Sequence, residues 1–357
     1  MAQALVRKAG TDPLMHPKFV PILRCPVTGS GLSLSVEEYD GKGMVRTGVL
    51  TAADGVTRYP VVNGVPRFVS AQRYSGSFGY EWRRWPRVQF EADNAGRPMQ
   101  GHTARMFRSV TEWEPDQLKG KLVVEFGCGS GRFLDQVRRC GGIAVGMDMS
   151  AAVEAARENF SADSDVLIVQ GDILNPPFQP GSFDLAYSIG VLHHTPDPAQ
   201  GLARLVSMVR PGGKLACCVY PKGGLYDHPS VHFLRNLHAK LGERLGRRFA
   251  TGAALAYSYC SAGLLYHLLR LVGNAPLLGP RAVFALETRF LVNVPLPDLR
   301  WRILDVFDAI TPHFASTHTG EEVKGWFAAA GCGDIRQTVW CATSFVAARP
   351  ALPDGSG

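Results

Sequence analysis

Charge is sparse in this chain and nowhere concentrated. Only 19% of its 357 residues are charged, and no run of five like charges occurs, so no acidic or basic tail is written into it. With 46% hydrophobic residues and few net charges, the composition is that of a folded globular chain rather than a disordered one, the two ends apart. No low-complexity tract or internal repeat appears. The opening residues contain no apolar run leading to a small-residue cleavage site, so no secretory signal is expected there. The eight cysteines are scattered, with no C-x-x-C pair; neither a zinc ribbon nor a disulfide scaffold is expected, and a reducing cytoplasm is the simplest compartment. The net charge of +7 is mild for this length. It can favour approach of an anionic molecule, RNA or a membrane surface, or simply belong to an ordinary basic surface.

What is present divides the chain by rhythm. Residues 1–70 read as a small β-rich unit, with Tyr59–Val62, an Asn63-Gly64 turn and Val65-Pro66 as strand, turn and strand. Residues 71–117 read as a connector rich in aromatics, among them Phe78, Tyr80, Trp82, Trp85 and Phe90. From residue 118 to 350 short apolar strands alternate with helices, the pattern of a parallel sheet in an α/β domain. Expected strands are 121–126, 143–148, 166–170, 183–188 and 214–220, with helices at 131–139, 151–160 and 199–209. A helical insertion over 221–310 interrupts the alternation. A helix at 320–330 and strands at 335–340 and 344–348 close the domain, Gly331 serving as a C-cap.

The strongest local signal is Val123-Val124-Glu125-Phe126-Gly127-Cys128-Gly129-Ser130-Gly131. A strand enters a glycine-rich turn that opens a helix, where free backbone N–H groups favour a carboxylate. The glycines follow G-x-G-x-G rather than the dinucleotide pattern G-x-G-x-x-G. Glu125 is placed to accept from an ammonium group. Asp148 ends the second strand, 21 residues after Gly127, where an acid can accept both hydroxyls of a ribose. Asp172 and Ile173 follow the third strand and suit an adenine amino group and ring face. The fourth strand runs into Ser188, Ile189 and the pair His193-His194. All four features fall at the carboxyl edge of the sheet, which points to a nucleoside-bearing ligand.

Together VVEFGCGSGRF, VGMDMS, VQGDI, FDLAYSIGVLHHTPDP and VRPGGKL resemble the class I methyltransferases, most of all the bacterial small-molecule and quinone-type enzymes. The resemblance implies a Rossmann-like fold with a seven-stranded, mostly parallel sheet whose last strand is antiparallel. It implies S-adenosylmethionine held by Glu125, Gly127, Cys128, Gly129, Asp148, Met149, Asp172 and Ile173, with Ser188 and Ile189 beneath the methionine. The N-terminal unit resembles the small zinc-ribbon-like activators of tRNA and protein methyltransferases. It lacks their second cysteine, since the string is Cys25-Pro26-Val27-Thr28, so no metal ligand set is expected and Cys25 reads as a packed thiol. The segment Ser77–Trp82 resembles one that folds over the cofactor in such enzymes; it reads either as an aromatic lid or as packing between units.

Methyl transfer to a hydroxyl or activated carbon calls for a base, and His193, His194 and His318 are the candidates, each with a structural alternative. Thr317 or Thr319 can cap the helix after His318. The insertion is expected to carry specificity. Leu234, Leu237, Leu241 and Leu245 mark one face of a helix over 231–249, suited to packing on the core or to weak contact with a membrane surface or an anionic acceptor. The apolar stretch 253–272 reads as a helix capping an apolar pocket rather than a membrane span. The expected activity is S-adenosylmethionine-dependent O- or C-methylation of a hydrophobic or aromatic small molecule. A tRNA or protein methyltransferase and a non-catalytic cofactor-binding scaffold are the alternatives; no basic stripe with interleaved aromatics supports a nucleic-acid partner.

Overall fold

The computed structural model describes residues 14–40, 43–69, 76–161, 163–273, 279–289 and 291–351. Readings of the first thirteen residues, of 70–75 at the start of the connector and of the chain's last six residues lie outside this set.

The N-terminal unit is an antiparallel sheet of β1 (Leu32–Tyr39), β2 (Val45–Ala52), β3 (Arg58–Val62) and β4 (Val65–Pro66), in that order. The β3–β4 hairpin turns at Asn63 and Gly64, both at positive φ, as an Asn-Gly pair permits. The sheet is not a free-standing module. Met15, Phe19, Leu23 and Leu50 share one hydrophobic cluster with Val124, Leu167 and Phe178 of the following domain. Leu23 pairs with Phe178 and Arg67 with Gln170, fastening the unit to the edge of the main sheet. The aromatic connector is helical: α1 (Gly76–Arg84), α2 (His102–Thr111) and the single turn α3 (Pro115–Leu118).

The main domain then alternates. β5 (Leu122–Phe126), α4 (Arg132–Arg139), β6 (Ile143–Asp148), α5 (Ala152–Asn159), β7 (Val166–Gln170), β8 (Phe183–Ile189), α6 (Pro198–Met208) and β9 (Val209–Cys218) follow one another. All five residues of β7 are buried, which is why these strands read as unbroken apolar runs. The insertion comprises α7 (Pro229–Leu245), α8 (Arg247–Tyr259), a turn of π-helix (Cys260–Leu265), α9 (Tyr266–Gly273), α10 (Pro280–Arg289) and α11 (Leu299–Ile310). α12 (Gly320–Ala329), β10 (Gly333–Gln337) and β11 (Ser344–Ala348) complete the domain. The sheet has seven strands in the order β10-β11-β9-β8-β5-β6-β7, with β11 antiparallel to both neighbours. This is the Rossmann-like class I methyltransferase architecture. Strand order reverses between β5 and its neighbours β8 and β6, so the crevice for a ligand opens at their carboxyl ends.

Several sequence expectations shift. α6 ends at Met208, ahead of Pro211, and β9 begins at once at Val209 with Gly212 at φ +76°. The helix expected over 231–249 is broken at Gly246, whose φ of +88° stops α7. Its buried face carries Val231 and Arg235, while Leu237 and Leu245 are exposed. The reason is polar: Arg235 Nε donates to the carbonyl of Ala309 at 2.7 Å, satisfying the C-terminal end of α11. The stretch 253–272 is likewise divided by the π turn, and no helix among the described residues is long and apolar enough to cross a membrane. Thr319 caps α12 in a reciprocal capping box with Glu322, and Gly331 follows at φ +76°.

Candidate functional site

A cavity of about 420 Å³ opens where β5, β6, β8 and β9 end. The glycine loop forms one wall, and its glycines are required sterically. A Cβ on Gly127 would lie 2.2 Å from Val191 Cγ1; on Gly129, 2.9 Å from Trp82 Nε1. Both residues also hold positive φ. Asp148 organises the loop from β6: its Oδ2 accepts from Gly129 N at 3.0 Å, and its Oδ1 accepts from the backbone N and hydroxyl of Ser150. Burial raises the Asp148 carboxyl, and these hydrogen bonds oppose the rise.

Of the ten residues expected at a cofactor site, all but Asp172 and Ser188 line this cavity. Those two require correction. Asp172 Oδ1 accepts from Leu174 N at 2.9 Å, so its carboxylate caps its own turn. Ser188 is buried in the sheet, where its hydroxyl donates to the carbonyl of Phe126 at 2.9 Å. Glu125 does face the cavity, with Oε2 accepting from Tyr187 O–H at 3.0 Å; burial pushes its carboxyl well up, against that hydrogen bond.

The three histidines separate. His194 lines the cavity beside Phe78, their ring centres 5.1 Å apart. Its Nδ1 meets the carbonyl of Phe314 at 2.8 Å, which assigns the proton to Nδ1 and leaves Nε2 as an unpartnered acceptor. Burial lowers its pKa, so the ring stays neutral. His193 is packed off the cavity wall against Tyr220, ring centres 3.7 Å apart, with both nitrogens unpartnered. His318 is also off the wall, bonded through Nε2 to Ser316 Oγ at 2.8 Å and set against Trp326. Of the three histidines expected together, only His194 lines the cavity: the His193 ring is packed on Tyr220 and His318 is held by Ser316 and Trp326.

α1 covers the cavity. Phe78, Glu81 and Trp82 line it, while Tyr80 and Trp85 pack on Phe307 of α11. The segment thus divides its side chains between the cavity and packing on α11. α11 contributes Trp301, Leu304, Asp305 and Asp308 to the opposite wall. Tyr226 donates to Asp305 and Tyr220 to Asp308, and the two tyrosine rings stack with centres 4.1 Å apart. Burial raises Asp305 to about 7. Glu81, Arg132, Asp308, Tyr220 and Tyr226 were not singled out as site residues from the sequence, and only the first two carried a signal there. Glu81 is an acid inside an aromatic segment, and Arg132 directly follows the last loop glycine; those positions were the available clues.

Among known proteins, residues 124–217 match the family model described as a methyltransferase domain. A 37.1 kDa protein of transposon TN4556 from Streptomyces fradiae is 32% identical over 45% of this chain and 48% of its own. The demethylmenaquinone methyltransferase of Corynebacterium kroppenstedtii is 29% identical over 39% of this chain and 58% of its own. A ubiquinone biosynthesis O-methyltransferase of Ralstonia nicotianae is 32% identical over 27% and 42%. The chain spans about half the length of the curated relatives it matches. One solved structure, an S-adenosylmethionine-dependent methyltransferase from Mesorhizobium loti, is 23% identical over 38% of this chain and 59% of its own, with a TM-score of 0.31. The fold rests on the strand order and not on that likeness.

Proposed function

We propose that this chain, which carries a class I methyltransferase domain with S-adenosylmethionine as its methyl donor, methylates a hydrophobic or aromatic small molecule at oxygen or carbon. The observation that carries this reading is one cavity with two chemically different walls. At the glycine loop it offers backbone on which the close approach of Val191 and Trp82 permits no side chain at 127 or 129, with Asp148 and Ile173 beside it. On the insertion side it offers Val294, Leu296, Trp301 and Leu304, with Trp340 nearby. The residues present fit the cofactor. The loop's backbone and the start of α4 suit a carboxylate, and Asp148 stands at the strand end where ribose hydroxyls are held.

When bound, the cofactor supplies an electrophilic sulfonium methyl group. The chain's own residues supply position and proton transfer. Aromatic and aliphatic side chains from the insertion exclude water and hold a flat acceptor against the loop, which converts an encounter into an oriented pair. His194 lines the cavity and its buried Nε2 has no partner, which suits it to take a hydroxyl proton as the acceptor oxygen is alkylated. A concave, aromatic-lined site favours a small molecule over a tRNA or a folded protein.

Calorimetric titration with S-adenosylmethionine and S-adenosylhomocysteine tests the first half. Micromolar binding of both supports it, and no binding to a folded sample free of copurified cofactor removes it. Transfer of labelled methyl to a panel of phenols, quinols and activated methylene compounds tests the second.

A further inference from the structure

Glu81 on α1 is fully buried, lines the cavity, and has no hydrogen-bond partner at either carboxylate oxygen. A buried carboxylate with both oxygens unsatisfied is costly unless a ligand completes it. Across the same cavity Arg132 opens α4, directly after the glycine loop. Its guanidinium lies over the Phe133 ring at 4.3 Å, and no hydrogen bond or ion pair to a described residue occupies it. The two side chains are near enough to feel each other's charge, yet form no ion pair. The other ionisable groups facing Glu81 are Asp148 on β6 and Asp305 and Asp308 on α11, all acids.

An unpaired buried acid and an unpaired cation lining one cavity, beside helix N–H groups, suit a zwitterion: an ammonium and a carboxylate borne by one carbon. Trp82, the neighbour of Glu81, lies against Gly129 of the loop. This puts the pair beside the glycine loop, with Asp308 of α11 also in range of both. We infer that Glu81 and Arg132 form a clamp for the α-amino acid end of S-adenosylmethionine, Glu81 accepting from the ammonium and Arg132 donating to the carboxylate. The inference rests on the function proposed above and adds that α1, from outside the α/β domain, completes the cofactor site. Glu125, whose Oε2 is already engaged by Tyr187, then supports the loop rather than carrying the ammonium alone.

The test compares two ligands on the full chain: S-adenosylhomocysteine, and 5′-methylthioadenosine, which keeps the nucleoside and thioether but lacks the amino acid. Wild-type protein binds S-adenosylhomocysteine more tightly. Glu81→Gln and Arg132→Gln each lower affinity for S-adenosylhomocysteine at least about tenfold, as loss of a charge-assisted hydrogen bond should, while methylthioadenosine affinity stays within about twofold. Retained methylthioadenosine binding also reports that each variant is folded. Equal loss for both ligands, or S-adenosylhomocysteine affinity unchanged in either variant, overturns the clamp. If wild-type protein binds neither ligand, it is the cofactor assignment itself that fails.

Discussion

Tyr226 donates its hydroxyl proton to Asp305 Oδ1 at 2.6 Å, while Oδ2 of the same buried carboxylate has no partner. Burial holds this carboxyl at about 7, far above its ordinary value. The folded state therefore keeps a proton that the unfolded chain releases near pH 4. Stability contributed by the protonated form is fully present below about pH 4 and is lost as pH rises through about 7. Asp305→Asn, which keeps an acceptor for Tyr226 and cannot ionise, should be more stable than wild type at pH 8, the difference shrinking towards pH 5. Urea midpoints at the two pH values measure it; a difference that does not depend on pH would contradict the raised pKa.

Asp148 ties the glycine loop to β6 through Gly129 N. Asp148→Ala removes that bond together with the acceptor expected for ribose hydroxyls. S-adenosylhomocysteine affinity should fall by about a hundredfold, two charge-assisted bonds being lost, as read by calorimetry. An unchanged affinity would mean the cofactor site is wrongly assigned.

Gly127→Ala places a methyl within the volume of Val191, at a φ of +80°. Overpacking and backbone strain together should cost about 2–5 kcal/mol. A second change, Val191→Ala, relieves only the collision. The double variant should therefore recover part of the melting temperature lost by the single one, and full recovery would show that the conformation of the glycine matters little.

His194→Gln should lower methyl transfer to a hydroxyl acceptor by about 10²–10⁴-fold, the usual size of a general-base contribution, while leaving S-adenosylhomocysteine binding intact. His193 is packed on Tyr220 away from the cavity, so His193→Gln should show mainly as lower thermal stability. Equal kinetic effects with equal binding would return His193 to the site.

Cys218 and Cys341 both line the cavity, with sulfurs 3.7 Å apart. A hydrogen bond from Cys218 lowers Cys341 to about 6, against burial. At pH 7 Cys341 should be alkylated by iodoacetamide faster than Cys218, more slowly in Cys218→Ala, and more slowly again with S-adenosylhomocysteine bound. Peptide mass mapping of the labelled sites reads each comparison.

Local rules made the sheet legible. Buried strands are continuous apolar runs, and turns between them are marked by glycine, so the parallel strands 143–148 and 166–170 and the antiparallel strand 344–348 could be read to the residue. The glycine loop and Asp148 were legible for the same reason: a sharp turn and a close ligand approach restrict which residues can stand there. Helix breaks inside the insertion were not, because apolar periodicity does not reveal that Arg235 is drawn inward by the carbonyl of Ala309 or that Gly246 reverses the chain. Nor does position next to a motif place a side chain in a site: Asp172 and His193 both follow sheet strands, yet one caps its own turn and the other packs behind the wall.

The sequence by itself determined the alternation and the glycine loop, since those depend on neighbours a few residues away; that Asp148 bonds the loop at Gly129 appears only in the structure. Only the tertiary structure decided which charged groups share the cavity. Glu81, Arg132 and Asp305 come from three distant segments, and their common chemistry arises from long-range packing that takes them out of water together. Burial and mutual proximity, not residue type, make those side chains a site.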